Sequence, residues 1–208
     1  MKNLSAVAIC VLTVLAMAVQ PSFAQDNAPT FGVKVGLNLA NFSWDLTEGT
    51  FETDSAIKFG VGGIMLYPLS EVLDLQVEFM YLQKGAKLDE IEGFKIDAKY
   101  KFAYLSVPVM GRYKLGSGDT SPYIAAGPEF GFLLSADVEF AGEEDDVKDE
   151  IKSIEIGFNV GAGVSMDMGT MPAFAEVRYS LGLSNIDDST SDVSIKTTGI
   201  QLFVGVMF

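Results

Sequence analysis

The chain has 208 residues, enough for one domain, and its 28 acidic residues against 14 lysines and arginines give a net charge of −14. This surplus of negative charge disfavours nucleic acid as a partner. The chain has no histidine, the usual general base of hydrolases, and its single cysteine cannot form a soft-metal site. We therefore expect no catalysis and no cofactor.

The first 24 residues have the pattern of a cleaved export signal. Lys2 supplies a positive charge, residues 4–19 form an uncharged apolar run, and Ser22-Phe23-Ala24 fits a small-x-small cleavage site. The run is short for a membrane-spanning helix, although an uncleaved N-terminal anchor is the alternative. We predict a secretory signal peptide over residues 1–24 and a single mature domain over residues 25–208.

The mature domain alternates apolar and polar residues with a period of two, which is the pattern of β-strands. Eight segments show this alternation, and the apolar side chains of each segment share one face. In chain order the segments cover residues 31–40, 56–67, 72–84, 100–114, 122–134, 154–165, 175–183 and 200–208.

The fourth segment is irregular. Its aromatic residues Tyr100, Phe102 and Tyr104 are in the opposite phase to Leu105 and Val107. We predict a β-bulge near Tyr104 that brings the two sets onto one face, because a bulge inserts one extra residue into a strand.

Short and long connections follow one another along the chain. Residues 68–71, 116–121 and 167–172 are short and turn-like, whereas residues 41–55, 88–97, 137–152 and 185–193 are longer and more acidic. Bacterial outer-membrane barrels have short periplasmic turns and longer extracellular loops. The pattern predicts an all-β fold, an eight-stranded antiparallel up-and-down transmembrane β-barrel.

The apolar faces are expected to contact lipid. Each is uncharged over roughly five positions, about the number needed for the apolar band of a membrane barrel. The opposite faces are rich in glycine, which weakens a water-exposed strand but suits a narrow interior. Tyr67, Tyr81, Tyr113, Tyr123 and Tyr179 lie near apolar strand ends, as in an interfacial girdle. A soluble lipocalin-like barrel, with its apolar faces inside, is the alternative.

The end of the chain and five internal motifs resemble a known family. The terminal Phe208 follows a strand with apolar residues at alternate positions, and this strand resembles the signal that the outer-membrane insertion machinery recognises. Read in order, five motifs resemble the porin-like outer-membrane β-barrel domain family of Gram-negative bacteria: FGVKVGLNLA (31–40), YLQKGAK (81–87), YLSVP (104–108), PYIAAGP (122–128) and RYSLGLSN (178–185). The resemblance implies an eight-stranded barrel in outer-membrane lipid with no catalytic residues, and it does not imply transport.

Charged residues on the polar faces must pair inside the barrel. Eight strands enclose an interior just wide enough for side chains, and an unpaired buried charge is costly. The polar faces also carry Asp74 and Lys84, and we expect Glu176 and Arg178 to be central. The alternative is a polar path for protons or ions. We predict a structural salt-bridge network that plugs the lumen and consists of Lys34, Lys58, Glu78, Arg112, Glu129, Glu155, Glu176 and Arg178.

These features favour a structural or surface-interaction role in the outer membrane. The alternative is a narrow porin or carrier for small solutes. The acidic segment 139–150 suits weak contact with divalent cations, although it lacks the ligand spacing of an EF-hand loop. We expect a monomer that the barrel-insertion machinery places in the membrane after export.

Overall fold

The computed structural model describes residues 28–46, 49–52, 54–91, 94–140, 143–169, 171–186 and 194–208. The predicted signal peptide, residues 1–24, lies outside the described residues and stays a prediction. The described residues form one short 3₁₀ helix, Lys148–Glu150. They also form eleven strands: β1 (Thr30–Leu46), β2 (Gly49–Glu52), β3 (Asp54–Pro68), β4 (Leu73–Lys84), β5 (Ala86–Ile91), β6 (Phe94–Lys114), β7 (Thr120–Phe140), β8 (Glu143–Asp146), β9 (Ile154–Met166), β10 (Ala173–Gly182) and β11 (Ser194–Met207).

Eight of these strands form the wall of a closed barrel. Around the wall the order is β1, β3, β4, β6, β7, β9, β10 and β11, and each strand is antiparallel to the next. The last strand, β11, pairs with β1 from Gly32 opposite Met207 to Asp45 opposite Ser194, which closes the ring. The predicted eight-stranded antiparallel up-and-down barrel is confirmed. No helix in the described part of the chain is long and apolar enough to cross a membrane.

The apolar face of each strand lies on the outside of the barrel. Val33, Leu37, Ile57 and Val160 have exposed fractions of 51%, 51%, 69% and 50%, whereas Lys34, next to Val33, is 2% exposed. A contiguous apolar belt of this kind marks a surface that contacts lipid or another apolar partner rather than water. The lipid-facing orientation is therefore the one the fold adopts, and the lipocalin-like alternative is wrong.

Glycines on the inward face make room for large rings on the neighbouring strand. Gly36 lies opposite Phe203, and Gly205 lies opposite Phe174. A Cβ atom at Gly36 would overlap the Phe203 ring, and one at Gly205 would lie 2.5 Å from Cζ of Phe174. The pairs supply the mixture of small and large side chains that a narrow barrel requires.

Three of the four long connections predicted from the sequence contain paired strands. The chain folds back from β1 into β2, β5 pairs with the start of β6, and β8 pairs with the end of β7. We call these three extensions the loop-end ribbons, and the opposite end of the barrel the turn end. The ribbons extend past the apolar belt. There, strand pairing still forms the backbone hydrogen bonds, but the side chains do not contact lipid and need no apolar alternation. The predicted ends of the first, fourth and fifth segments at this side of the barrel are therefore wrong, whereas the third segment ends at Lys84 and the sixth begins at Ile154, as predicted.

A bulge is present at the predicted level, but it lies on the neighbouring strand and its consequence differs from the expectation. The register between β6 and β7 shifts between Ala103 and Tyr104. The extra residue lies on β7, because Leu133 pairs with Tyr104 and Ser135 pairs with Ala103. Phe102 and Tyr104 are 3% and 0% exposed and therefore stay inside the barrel. The expectation that the bulge returns them to the lipid face is wrong.

Candidate functional site: the closed lumen

Clusters of apolar side chains lie at both ends of the lumen. At the turn end, Ile64, Phe174 and Met207 are buried against one another. At the loop end, the rings of Phe42 and Phe102 lie 5.4 Å apart at the centre of a larger buried cluster. We call this cluster the aromatic plug, and it consists of Phe42, Ala86, Phe102, Tyr104, Leu133, Ala136 and Ile186.

Four ionised side chains meet between these two ends. Arg178 Nη2 lies 2.7 Å from Glu78 Oε1 and 2.5 Å from Glu176 Oε1, and Lys34 Nζ lies 2.9 Å from Glu78 Oε1 and 3.5 Å from Glu176 Oε1. All four side chains are at most 1% exposed. We call Lys34, Glu78, Glu176 and Arg178 the central ion cluster. Two cations balance two carboxylates, which is the pairing that makes buried charges tolerable.

The central ion cluster crosses the whole width of the barrel. Glu78 lies on β4 and Arg178 lies on β10, which are four strands apart in the ring of eight and therefore on opposite sides. Two hydrogen bonds join them, from Nη1 and Nη2 of Arg178. Gln76 Nε2 donates to Glu78 Oε1 at 2.6 Å, and the Tyr123 hydroxyl donates to Glu176 Oε2 at 3.1 Å. The section of the lumen at this level is filled by bonded polar groups.

A second group of ion pairs lies on the loop side of the first. Lys84 Nζ lies 3.0 Å from Glu129 Oε1 and 3.2 Å from Glu155 Oε2, so two carboxylates share one ammonium. Asn159 Nδ2 donates to Glu129 Oε2 at 2.7 Å, and the Thr197 hydroxyl donates to Glu155 Oε1. We call Lys84, Glu129 and Glu155 the loop-side ion cluster, and it carries one more carboxylate than cations.

Six of the eight side chains proposed for the lumen network lie in these two clusters, and two do not. Lys58 is half-buried at the loop end, where it lines a small cleft with Lys101 and Asp137. Arg112 lies at the turn end, above the ring of Tyr123. The reason is position along the strands, since both residues are near strand ends whereas the central ion cluster occupies the middle of the barrel.

Sequence reasoning missed the roles of two residues that contribute to these clusters. The pattern places Tyr123 in the interfacial girdle, but this residue is 1% exposed and faces the lumen. The alternation pattern could have shown this, because Tyr123 and Glu129 are both odd-numbered residues of β7 and therefore lie on the same face of the strand. The pattern also places Lys84 in the lumen, but it does not identify Lys84 as the cation shared by two carboxylates, since its partners lie on strands that are distant in sequence.

Comparison with known proteins agrees with this architecture. The model of the outer membrane protein β-barrel domain family matches residues 23–188. The chain belongs to this family. The resemblance noted from the sequence motifs is thus confirmed, and membership places the protein in an outer membrane. No curated protein matches the chain.

Solved structures of outer-membrane barrels resemble this member of the family. A major outer membrane protein from Thermus thermophilus is 10% identical, with 87% of this chain and 100% of that chain covered and a TM-score of 0.53. The Neisserial surface protein A is 18% identical, with coverages of 87% and 99% and a TM-score of 0.49. OprG from Pseudomonas aeruginosa is 13% identical, with coverages of 88% and 97% and a TM-score of 0.48. At these identities the Thermus protein supports the shared fold alone.

The loop-end ribbon formed by β7 and β8 presents an acidic face. Asp137 lies opposite Asp146, and Glu139 lies opposite Glu144. Like charges in these positions repel one another, and Lys101 reduces that repulsion because its Nζ lies 2.7 Å from Glu139 and 3.4 Å from Glu144. Hydrogen bonds from lysine side chains, that of Lys101 foremost, lower the pKa of Glu139. Among the described residues, no three acidic side chains are arranged to hold a metal ion.

Proposed function

We propose that this family member is a closed, non-conducting outer-membrane barrel with a structural role, whose loop-end ribbons interact with partners at the cell surface. The observation that carries the proposal is the Glu78–Arg178 pair, because it joins opposite walls of the lumen at 2.7 Å. No catalytic role is part of the proposal.

The charge arrangement supports a plug rather than a path. A solute that passed the central ion cluster would have to separate Arg178 from Glu78 and Glu176. Removing one partner from a buried ion pair costs on the order of 3–5 kcal/mol, because the remaining charge stays buried. The aromatic plug then presents a second barrier of apolar side chains. An interior of eight strands has little room around either barrier.

The exposed part of the protein supports a role in surface interaction. The four residues of β8 are all acidic and all exposed. Glu144 and Asp146 lie opposite Glu139 and Asp137 and form with them a negatively charged surface that suits a basic partner or weak contact with divalent cations. A cell that lacks the protein should become sensitive to detergent, and the full chain should restore resistance. A chain with Glu143, Glu144, Asp145 and Asp146 changed to their amides should restore resistance to detergent. It should not restore the binding of a basic partner or of divalent cations at the cell surface.

Conductance of the refolded full chain in planar lipid bilayers tests the closed lumen. We expect no stepwise current at physiological salt. Swelling of proteoliposomes in small sugars and amino acids provides a second readout for solutes that carry no current, and we expect none. Steady single-channel steps, or solute-dependent swelling, would replace this proposal with the narrow porin or carrier.

We also propose that Phe208 is read by the barrel-insertion machinery and that the barrel works as a monomer. Phe208 is 70% exposed, and its backbone N–H donates to Phe31 O at 2.8 Å. The Phe208→Ala variant should lower the fraction of protein that shifts on boiling in membrane pellets. Phe130→Ala is the matched control, since Phe130 is also exposed on the lipid face but lies within a strand. An equal loss in both variants would remove the special role of the terminal residue.

A further inference from the structure

A cation at the turn end of the lumen lacks a counter-charge. The Arg112 guanidinium lies 3.6 Å from the centre of the Tyr123 ring, and its Nη2 donates to the Ser165 hydroxyl. Its Nε and Nη1 have no acceptor among the described residues, although Arg112 is only 4% exposed. These two nitrogens carry three of the five N–H donors of the side chain.

The acidic residue that could balance this charge is used elsewhere. Asp74 lies directly opposite Arg112 in the β4–β6 pair. However, Asp74 Oδ1 lies 2.9 Å from Lys114 Nζ, and Asp74 makes no ion pair with Arg112. The next carboxylate, Glu176, accepts from the Tyr123 hydroxyl and is paired with Arg178 and Lys34. One carboxylate thus lies beside two cations at the turn end, and it pairs with Lys114 alone.

This surplus positive charge lies close to the mouth of the barrel. Arg112 and Lys114 belong to the last three residues of β6, Asp74 is the second residue of β4, and Ser165 is the second-last residue of β9. The Lys114 side chain is 33% exposed, so solvent reaches this cluster. In outer-membrane barrels the short-turn end faces the periplasm.

We propose that Arg112 and Lys114 form a binding site for a small oxyanion, a free carboxylate or phosphate, that enters the lumen from the periplasmic end. The guanidinium offers charge-assisted N–H donors, which bind carboxylate and phosphate oxygens strongly. Tyr123 holds the guanidinium plane from one side, and Ser165 fixes Nη2. The site is therefore organised before the anion arrives. The proposal is independent of the closed lumen, because the anion binds outside the central ion cluster.

Titration of the refolded full chain in detergent, followed by NMR of the Arg112 Nε–Hε signal, tests the site. The probes are sodium phosphate and sodium acetate, each at constant ionic strength with sodium chloride as the balancing salt. We expect a saturable shift of this signal with both probes, and the comparison of the two midpoints shows whether phosphate or carboxylate is preferred. No saturable shift with either probe would overturn the proposal.

Three variants separate an anion site from a structural role. Arg112→Gln lacks the monitored signal, so binding is followed through the backbone amide signals of Tyr123 and Ser165, which contact the guanidinium in the natural chain. Their saturable shift should be lost in this variant, which should still fold because it removes a buried charge that has no partner. Asp74→Asn should tighten binding by about fivefold, since it removes one competing negative charge at close range. Lys148→Gln, at the loop end, should leave the midpoint unchanged. Unchanged or weaker binding in Asp74→Asn would show that the anion does not bind beside Arg112 and Lys114, and it would overturn the site.

Discussion

The central ion cluster and the aromatic plug close the same lumen by different physical means. The cluster matches Lys34 and Arg178 with Glu78 and Glu176 at distances of 2.5–3.5 Å. The plug instead fills the loop end with seven buried apolar residues. Loss of one member of the cluster leaves another charge buried, whereas loss of one member of the plug leaves a small cavity. A polar barrier therefore fails at a single residue, while an apolar barrier weakens in proportion to lost volume.

The largest effect is expected when both barriers are removed together. The combined variant Glu78→Ser, Arg178→Ser, Phe42→Ala and Phe102→Ala should conduct ions in planar bilayers, and each pair of substitutions alone should not. The reason is that two barriers in series both have to open. Conductance in a variant that carries only one of the two pairs of substitutions would show that the lumen has one effective barrier. The two regions would then not act as separate barriers.

The next largest effect is expected from Glu78→Ala. Lys34 and Arg178 would then share Glu176 as their remaining carboxylate, and we expect the free energy of unfolding to fall by on the order of 3–5 kcal/mol. Urea unfolding in lipid vesicles measures the change. Glu78→Ala combined with Arg178→Ala should lose less than the sum of the two single variants, because the pair is removed together. Additive losses would mean that the two side chains do not interact.

A smaller and salt-independent effect is expected from Leu133→Ala in the aromatic plug. Leu133 is 8% exposed, and its truncation should lower the free energy of unfolding by about 2–3 kcal/mol through lost packing. The same unfolding assay at low and high salt checks this. Phe140→Ala provides the control, since Phe140 is 56% exposed and should change stability little. A loss that depends on salt would contradict the apolar nature of this barrier.

The smallest effect is expected outside both barriers, at Glu139. Its pKa is lowered by hydrogen bonds from Lys101 and Lys99, so the ionised form contributes to ribbon stability above the ordinary pKa of a glutamate. This contribution is lost as the pH falls through the lowered pKa. Protease cleavage of the β7–β8 ribbon should therefore quicken at acid pH in the natural chain. Glu139→Gln should show the acid rate at all pH values, with conductance and global unfolding unchanged.

The membrane-spanning part of the fold follows from local sequence pattern. Alternation placed Val33 and Leu37 on the lipid face and Lys34 in the lumen because side chains of a strand point to opposite sides at every step. The same reasoning placed all seven members of the two ion clusters in the lumen. Alternation failed at Phe102, Tyr104 and Tyr123, because a large aromatic side chain is compatible both with a lipid-facing position and with the lumen. Composition alone does not separate these two environments, because aromatic rings suit both.

The sequence by itself determined the strand number, the face that meets lipid and the set of charges that must pair inside. Only the closed barrel decided which charges meet, because the partners lie on different strands: Glu78 and Arg178 are 100 residues apart in the chain and join only when β4 and β10 stand on opposite walls. Closure also decided that Asp74 pairs with Lys114 and leaves Arg112 without a counter-charge. The physical reason is that apolar–polar alternation describes one strand at a time. Ion pairing depends instead on distances between strands, which the shear and diameter of the barrel determine.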